Sequence, residues 1–323
     1  MATITETKFS DIYITKSDKK AYIPDKRTLN ALMPFEADDF DSFFQAVEGS
    51  WDGENSSYSV NYDGIFYRVE RSEAISGINY CIRKMPSSVP SIKVLGYPTE
   101  LITYLLSLRR SSGLILCSGP TGAGKTTMIS SLLKECLIKE GGFAYTIEDP
   151  TEQPLDGIYN VEGGGLGICK QTLPINGKWG ESLKSALRSK PRYIMVGEIR
   201  TPDAASEVLR AATSGHLVFS TIHANNVTDA INSLVKYAAA GDMSEDLAYD
   251  LFSRGMLGVI HQNLIGKGIR KPQVSFLFAN PDTYKGDQVR GIIKTGKLNL
   301  GTSIETQMTR MIKGLSVFPE SAD

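Results

Sequence analysis

One run of eight residues carries the strongest chemical signal in this chain of 323. Gly119-Pro-Thr-Gly-Ala-Gly-Lys125-Thr126 fits the phosphate-loop pattern GxxxxGK[ST] in full. From this composition a chance match anywhere in the chain is about 2%. Gly119, Gly122 and Gly124 let the backbone, with Thr121 and Ala123 between them, curl its N–H groups around an anion. A following helix adds positive potential at its N-terminus. Lys125 would reach the β- and γ-phosphates of a nucleotide, and the Thr126 hydroxyl, with Thr127 beside it, would hold Mg²⁺. A glycine-rich loop without a ligand is the plain alternative. The flanks speak against it: a short apolar run, Gly113 to Cys117, comes before, and Ile129, Leu132, Leu133, Cys136 and Leu137 follow on one helical face.

Acidic groups stand at the ends of two further apolar runs. Ile194-Met-Val-Gly197-Glu198 reads as a strand that ends in an acid, with Gly197 where a Walker B strand usually has Asp. Glu198 is then the candidate to orient or deprotonate an attacking water. Glu148, Asp149 and Glu152 follow the strand-like run Phe143 to Ile147, and could complete a magnesium shell or place a second base. A solvated acidic turn is the plain alternative. The chain has three histidines, and two bracket one apolar run: His216 before Leu217-Val-Phe-Ser-Thr221 and His223 after it. His223 falls at the C-terminal strand end, on the nucleotide side; His216 and His223 together could sense a γ-phosphate or link it to a neighbouring subunit, and the pair lacks a third ligand for a metal. His261 has no motif and reads as structural. Gly163-Gly-Gly-Leu-Gly167 does not match GxGxxG and reads as a flexible connection.

These groups need a frame. From about residue 98 apolar runs of strand length alternate with amphipathic helices, including a helix capped by Thr201 with Pro202 in its first turn. Such alternation predicts an α/β domain, a parallel-rich sheet covered by helices with ligands at the C-terminal strand ends. Residues 1–97 read differently. Ile12 to Ile14, Tyr58 to Tyr62, Phe66 to Glu70 and Asn79 to Arg83 are short strands, and Phe40, Phe43, Phe44 and Val47 recur at helical spacing. They form a small α+β domain that ends in a Pro/Ser-rich linker, Pro86 to Ser91. The expected division is 1–97 and 98–323.

Composition limits the partners. Hydrophobic residues are 41% and charged residues 22%, enough for real cores. Lys plus Arg is 35 against 36 for Asp plus Glu, a net charge of −1. That charge, with no basic–aromatic stripe, weighs against a nucleic-acid translocase. The four cysteines, 81, 117, 136 and 169, form no CxxC pair and are expected as reduced thiols. No apolar stretch has the length of a membrane span, and the start lacks a signal-peptide core.

The motifs in this order resemble the hexameric secretion ATPases of the type II secretion, type IV pilus and type IV secretion superfamily. The matching stretches are GPTGAGKTT (119–127), TIEDPTE (146–152), ALRSKPRYIMVGEIR (186–200) and TSGHLVFSTIHANN (213–226), which in family language are Walker A, the Asp box, an atypical Walker B and the His box. The resemblance implies a PAS-like N-terminal domain, a RecA-like P-loop domain, ATP with Mg²⁺, and six-subunit rings in which arginines from one subunit meet the nucleotide of the next. Arg68, Arg71 and Arg83 are the candidates for those arginines. The Lys190-Pro191-Arg192 stretch is similar to type IVB secretion and conjugation ATPases, and the absent tetracysteine motif weighs against the secretin-type assembly ATPases. The implied protein is a cytoplasmic motor, peripheral on the cytoplasmic face of the inner membrane. It would work on the inner-membrane platform of a type IV secretion, conjugation or type IV pilus machine, with no specific nucleic acid. The alternatives are a pilus retraction motor specifically, a small-molecule P-loop phosphotransferase, and a nucleotide-gated scaffold.

Overall fold

A computed structural model of the chain describes residues 2–25, 31–175, 177–266, 270–282 and 287–318. It divides into two units, residues 1–88 with 152–154, and residues 89–151 with 155–323. The linker read at Pro86 to Ser91 spans the first division.

The first unit contains strands β1 (Asp11–Thr15), β2 (Lys20–Pro24) and β3 (Leu32–Phe35), helix α1 (Phe40–Gly49), and strands β4 (Ser57–Tyr62), β5 (Ile65–Ala74) and β6 (Gly77–Lys84). They form one antiparallel sheet in the order β3-β2-β1-β6-β5-β4. Alternation places Ile12, Ile14, Tyr67, Val69, Tyr80 and Ile82 on the covered face. Phe43, Phe44 and Val47 of α1 close that face, which is the spacing the sequence shows. Full burial of each such side chain is worth about 1.5–3 kcal/mol before entropy is counted.

In the second unit helix α2 (Thr99–Ser107) leads to strand β7 (Gly113–Ser118), helix α3 (Lys125–Glu140) and strand β8 (Gly142–Ile147). A hairpin, β9 (Gly157–Asn160) and β10 (Leu166–Thr172), comes next. Then follow α4 (Trp179–Arg188), β11 (Tyr193–Glu198), α5 (Pro202–Ala212), β12 (Leu217–Ile222), α6 (Val227–Ala239), α7 (Glu245–Gly255), β13 (Met256–Ile265), β14 (Lys271–Phe278), α8 (Gln288–Lys294) and α9 (Gly301–Ile312). The sheet runs β14-β13-β7-β12-β11-β8-β10-β9, with parallel pairing from β13 through β10 and one antiparallel strand at each edge. Helices α4 to α8 pack into the core on one face, and α2, α3 and α9 into the core on the other. Every residue of β7 is buried, as a central strand covered on both faces requires.

Two sequence expectations change. The α3 pattern shows one apolar face, but Ser130 and Ser131 are buried as well, because α3 lies between the sheet and residues 89–110. Glu135 accepts a hydrogen bond from Ser91 at 2.7 Å, and Lys134 donates to the Val89 carbonyl at 2.6 Å. The glycine run is a turn rather than a slack connection: Gly163 to Gly165 join β9 to β10 at positive φ. Gly167 lies inside β10, where a Cβ would stand 2.8 Å from the Leu137 carbonyl oxygen.

All four cysteines are free. Burial pushes the Cys117 and Cys136 thiols up to about 12 and raises Cys169 further.

Candidate functional site

The phosphate loop leaves the C-terminal end of β7 and opens α3. Its backbone is special where the sequence has glycine. Gly119, Gly122 and Gly124 all have positive φ, at 149°, 74° and 81°. At Gly119 close approach adds to conformation: a Cβ there would meet the Gln262 carbonyl oxygen at 2.2 Å. Around Gly122 nothing lies within 4 Å. Gly119→Ala is therefore expected to cost about 3 kcal/mol or more, and Gly122→Ala about 1. Thermal denaturation should show a midpoint lowered by roughly 10 °C in the first and by only a few degrees in the second.

Lys125 is 7% exposed, and its Nζ donates to the Gly119 and Pro120 carbonyls at 3.0 and 3.2 Å. The ammonium is thus drawn back over its own loop. It also lies 3.8 Å from Glu198 Oε1. Glu198 ends β11, two strands from β7 in the sheet order. The register of β11 against β12 shifts between Val196 and Glu198, so the chain bulges at Gly197 and re-aims the acid. Thr221 Oγ1 donates to the Gly197 carbonyl at 2.7 Å and holds the bulge. His223, just past β12, puts Nε2 2.7 Å from Glu198 Oε1, and Arg200 pairs with Oε2. Lys125, Glu198, Arg200 and His223 therefore converge at the C-terminal ends of adjacent strands.

Glu148, at the end of β8, is 1% exposed and accepts from Thr146 Oγ1 at 2.7 Å and Gln171 Nε2 at 2.9 Å. Its stem explains the glycine in the Walker B strand: a Cβ on Gly197 would stand 3.3 Å from Glu148 Cγ. Glu148 fills space that a side chain at 197 would need. Asp149 is exposed beyond it, and Glu152 lies in the short segment grouped with the first unit.

His216 is not brought to this end. It precedes β12 and its Nδ1 lies 2.6 Å from the Pro191 carbonyl oxygen, on the side where β11 begins. A six-residue strand separates it from His223, about 20 Å of extended chain. The arginines divide too. Arg68 and Arg83 are cross-strand partners on the open face of the first sheet, beside Asp11, Glu70 and Cys81. Arg83 Nε bonds Asp11 at 2.8 Å. Arg71 is three residues from Arg68, so the pleat turns it to the opposite face, where its guanidinium lies 3.9 Å over Trp51 and pairs with Glu73.

The sequence reading missed one partner of the loop. Gln262 in β13 is fully buried, its Nε2 donates to the Ala123 carbonyl at 2.6 Å, and its Oε1 accepts from the Tyr97 hydroxyl at 2.7 Å. No motif marks either residue. Next to it, His261 Nδ1 is 3.2 Å from Ser118 Oγ, the last side chain before the loop. Burial lowers the His261 pKa, opposed by the Asp229 carboxylate and reinforced by the Lys125 charge, so the ring is neutral at pH 7.

Among the described residues no group of three or more His, Cys, Asp and Glu side chains could hold a metal ion. The donor set fits magnesium carried with a nucleotide, which takes one or two protein oxygens and phosphate oxygens for the rest. Thr126 at the start of α3 offers the hydroxyl, with Glu148 and Glu198 as the nearby acids.

Parallel sheet, phosphate loop and strand-end acid together define a P-loop nucleotide-binding protein. The family model described as "Type II/IV secretion system protein" matches residues 53–292, and the chain belongs to that family. It is an ATPase of the RecA-like kind. A twitching motility protein of Neisseria gonorrhoeae is 28% identical over 269 residues, covering 79% of this chain and 68% of that protein. The type IV pilus assembly ATPase PilB of Acinetobacter baylyi is 34% identical over 177 residues, but the match covers only 28% of its length. The crystal structure of the pilus retraction motor PilT with bound ADP aligns with a TM-score of 0.71 at 26% identity, covering 95% of this chain and 87% of that one. The Legionella pneumophila ATPase DotB, 18% identical, shares the fold with a TM-score of 0.68. No described helix is long and apolar enough to cross a membrane.

Proposed function

We propose that this chain hydrolyses MgATP within a hexameric ring and converts the hydrolysis into mechanical work. The ring would serve a type IV secretion, conjugation or type IV pilus machine, docked on the cytoplasmic face of the inner membrane. The convergence of Lys125, Glu198 and His223 on the phosphate-loop end of the sheet carries the reading. On nucleotide binding the Lys125 ammonium exchanges the Gly119 and Pro120 carbonyls for β- and γ-phosphate oxygens. Glu198 orients the attacking water and takes its proton. His223 senses whether a γ-phosphate is present through its bond to Glu198. Magnesium, bound through Thr126 with Glu148 in support, would neutralise charge on the phosphates.

Arg68 and Arg83 of a neighbouring copy supply cations to the transferring phosphoryl group. Their placement supports this: like charges directly opposite across two strands destabilise a sheet, and here they sit on its open face with Asp11 and Glu70 beside them. Arg71, engaged with Trp51 on the other face, is left out of the role. Sharing between copies has a direct test. Mixing inactive Lys125→Ala protein with inactive Arg68→Ala/Arg83→Ala protein should restore phosphate release to about a quarter of the parent rate, because some mixed seams join two intact halves. No recovery at any mixing ratio would remove the shared site. The same assay, with ADP and free phosphate in equal amounts and no phosphorylated acceptor, separates a motor from a phosphotransferase.

The narrower reading, a pilus retraction motor, draws on the match to PilT over 95% of this chain. Loss of twitching movement, with pili still assembled, in the host strain lacking this chain would favour it.

A further inference from the structure

We infer that Gln262 is a positioning residue of the phosphate loop, an amide clamp that, with Tyr97, fixes the loop in the shape that receives a nucleotide polyphosphate. The inference rests on reading residues 119–126 as the nucleotide site.

Gln262 touches both ends of the loop. Its main-chain carbonyl lies where a Cβ of Gly119 would stand, 2.2 Å away, and its side-chain Nε2 is 3.4 Å from the position of a Cβ on Gly124. The same Nε2 donates to the Ala123 carbonyl. A trans peptide points its C=O and the next N–H in opposite directions, so holding the Ala123 carbonyl on Gln262 directs the Gly124 N–H away from it. Gly124 caps α3, so this N–H is among those that the helix leaves without an intrahelical partner and that can meet a phosphate oxygen.

The chemistry of the clamp is specific to an amide. The Ala123 carbonyl only accepts, so the NH₂ group must face it, and the amide oxygen is then left for the Tyr97 hydroxyl. Burial raises the Tyr97 pKa far above its ordinary value, so the hydroxyl keeps its proton and donates. A fully buried amide is costly unless bonded, and an apolar side chain would fill the same strand position more cheaply. Val259, Ile260 and Leu264 on the same strand are apolar, whereas His261, Gln262 and Asn263, which lie beside the loop, are polar. What the amide adds is a fixed loop before the ligand arrives, and preorganisation of this kind appears as affinity.

The test uses the full chain with magnesium, calorimetric binding of ADP, and steady-state ATP hydrolysis. Gln262→Met keeps the volume and removes both bonds; Tyr97→Phe keeps the ring and removes only the anchor of the amide. We expect the ADP dissociation constant to rise about thirtyfold in Gln262→Met and about fivefold in Tyr97→Phe. KM for ATP should rise in parallel, with kcat lowered by less than about threefold, since Lys125 and Glu198 remain in place. A dissociation constant within about twofold of the parent in Tyr97→Phe, and in Gln262→Met where it folds, would overturn the clamp. A collapse of kcat at unchanged KM would overturn it as well. Lys125→Ala run alongside keeps the failures apart. If that variant retains ADP, the nucleotide-site reading falls and the clamp with it; if it loses ADP while the clamp variants bind normally, only the clamp falls.

Discussion

Replacing Lys125 with alanine is expected to lower ATP turnover by about a hundred- to a thousandfold and to weaken nucleotide retention severely. The expectation follows from where the ammonium lies. It is buried at the mouth of the sheet, bonded to two loop carbonyls that it can exchange for phosphate oxygens, and within 4 Å of Glu198. In so dry a site its attraction for a polyphosphate is far stronger than on the surface. The fold should survive, because α2, α3 and β7 are packed by apolar side chains that the substitution leaves alone. Phosphate release and ADP calorimetry on the variant, with its thermal midpoint as a control, give the answer. Near-normal turnover would mean that nucleotide chemistry takes place elsewhere in the molecule.

The second large effect separates binding from chemistry. Glu198→Gln should reduce turnover by about a hundredfold or more while ATP stays bound. The amide keeps the size of the carboxyl group and can still accept from His223, but it cannot take a proton from water. Removing the acid also removes the counter-charge of Arg200 and one acidic neighbour of Lys125. ATP affinity should therefore hold or improve, since a negative group near the phosphates is gone. Single-turnover hydrolysis beside equilibrium ATP binding measures both halves. A variant that hydrolyses at the parent rate would strip Glu198 of its role and leave Glu148 as the buried acid at the end of the neighbouring strand.

Much of this site is legible in the chain because it is local. Eight contiguous residues state the phosphate loop, and the apolar runs on either side state the strand and helix that hold it. The acids are readable for the same reason: each terminates a strand. Period and direction separate two sets of residues that share a type. Arg68 and Arg71 are an odd number apart in one strand and must face opposite ways. His216 and His223 bracket one strand and must lie at its two ends. What local pattern cannot state is a bond between distant residues of ordinary type. Tyr97 and Gln262 meet only because β13 docks beside β7, and the crowding of Gly197 by Glu148 needs the neighbouring strands in register. The hairpin of β9 and β10 was hidden by its glycines, which mark a tight turn as readily as a slack one.

Strand β7 sits between β12 and β13, whose residues come more than a hundred positions later in the chain. A ribosome delivers the phosphate loop long before either flank exists. Until β13 emerges, β7 lacks its partner on one edge, with Leu114 and Leu116 on one face and Ile115 on the other, and long-range parallel pairing of this kind forms slowly. The antiparallel first unit needs nothing that late and can be complete while the rest is still being made. Nascent chains of this protein thus pass through a stage with one finished unit and one waiting for its last third.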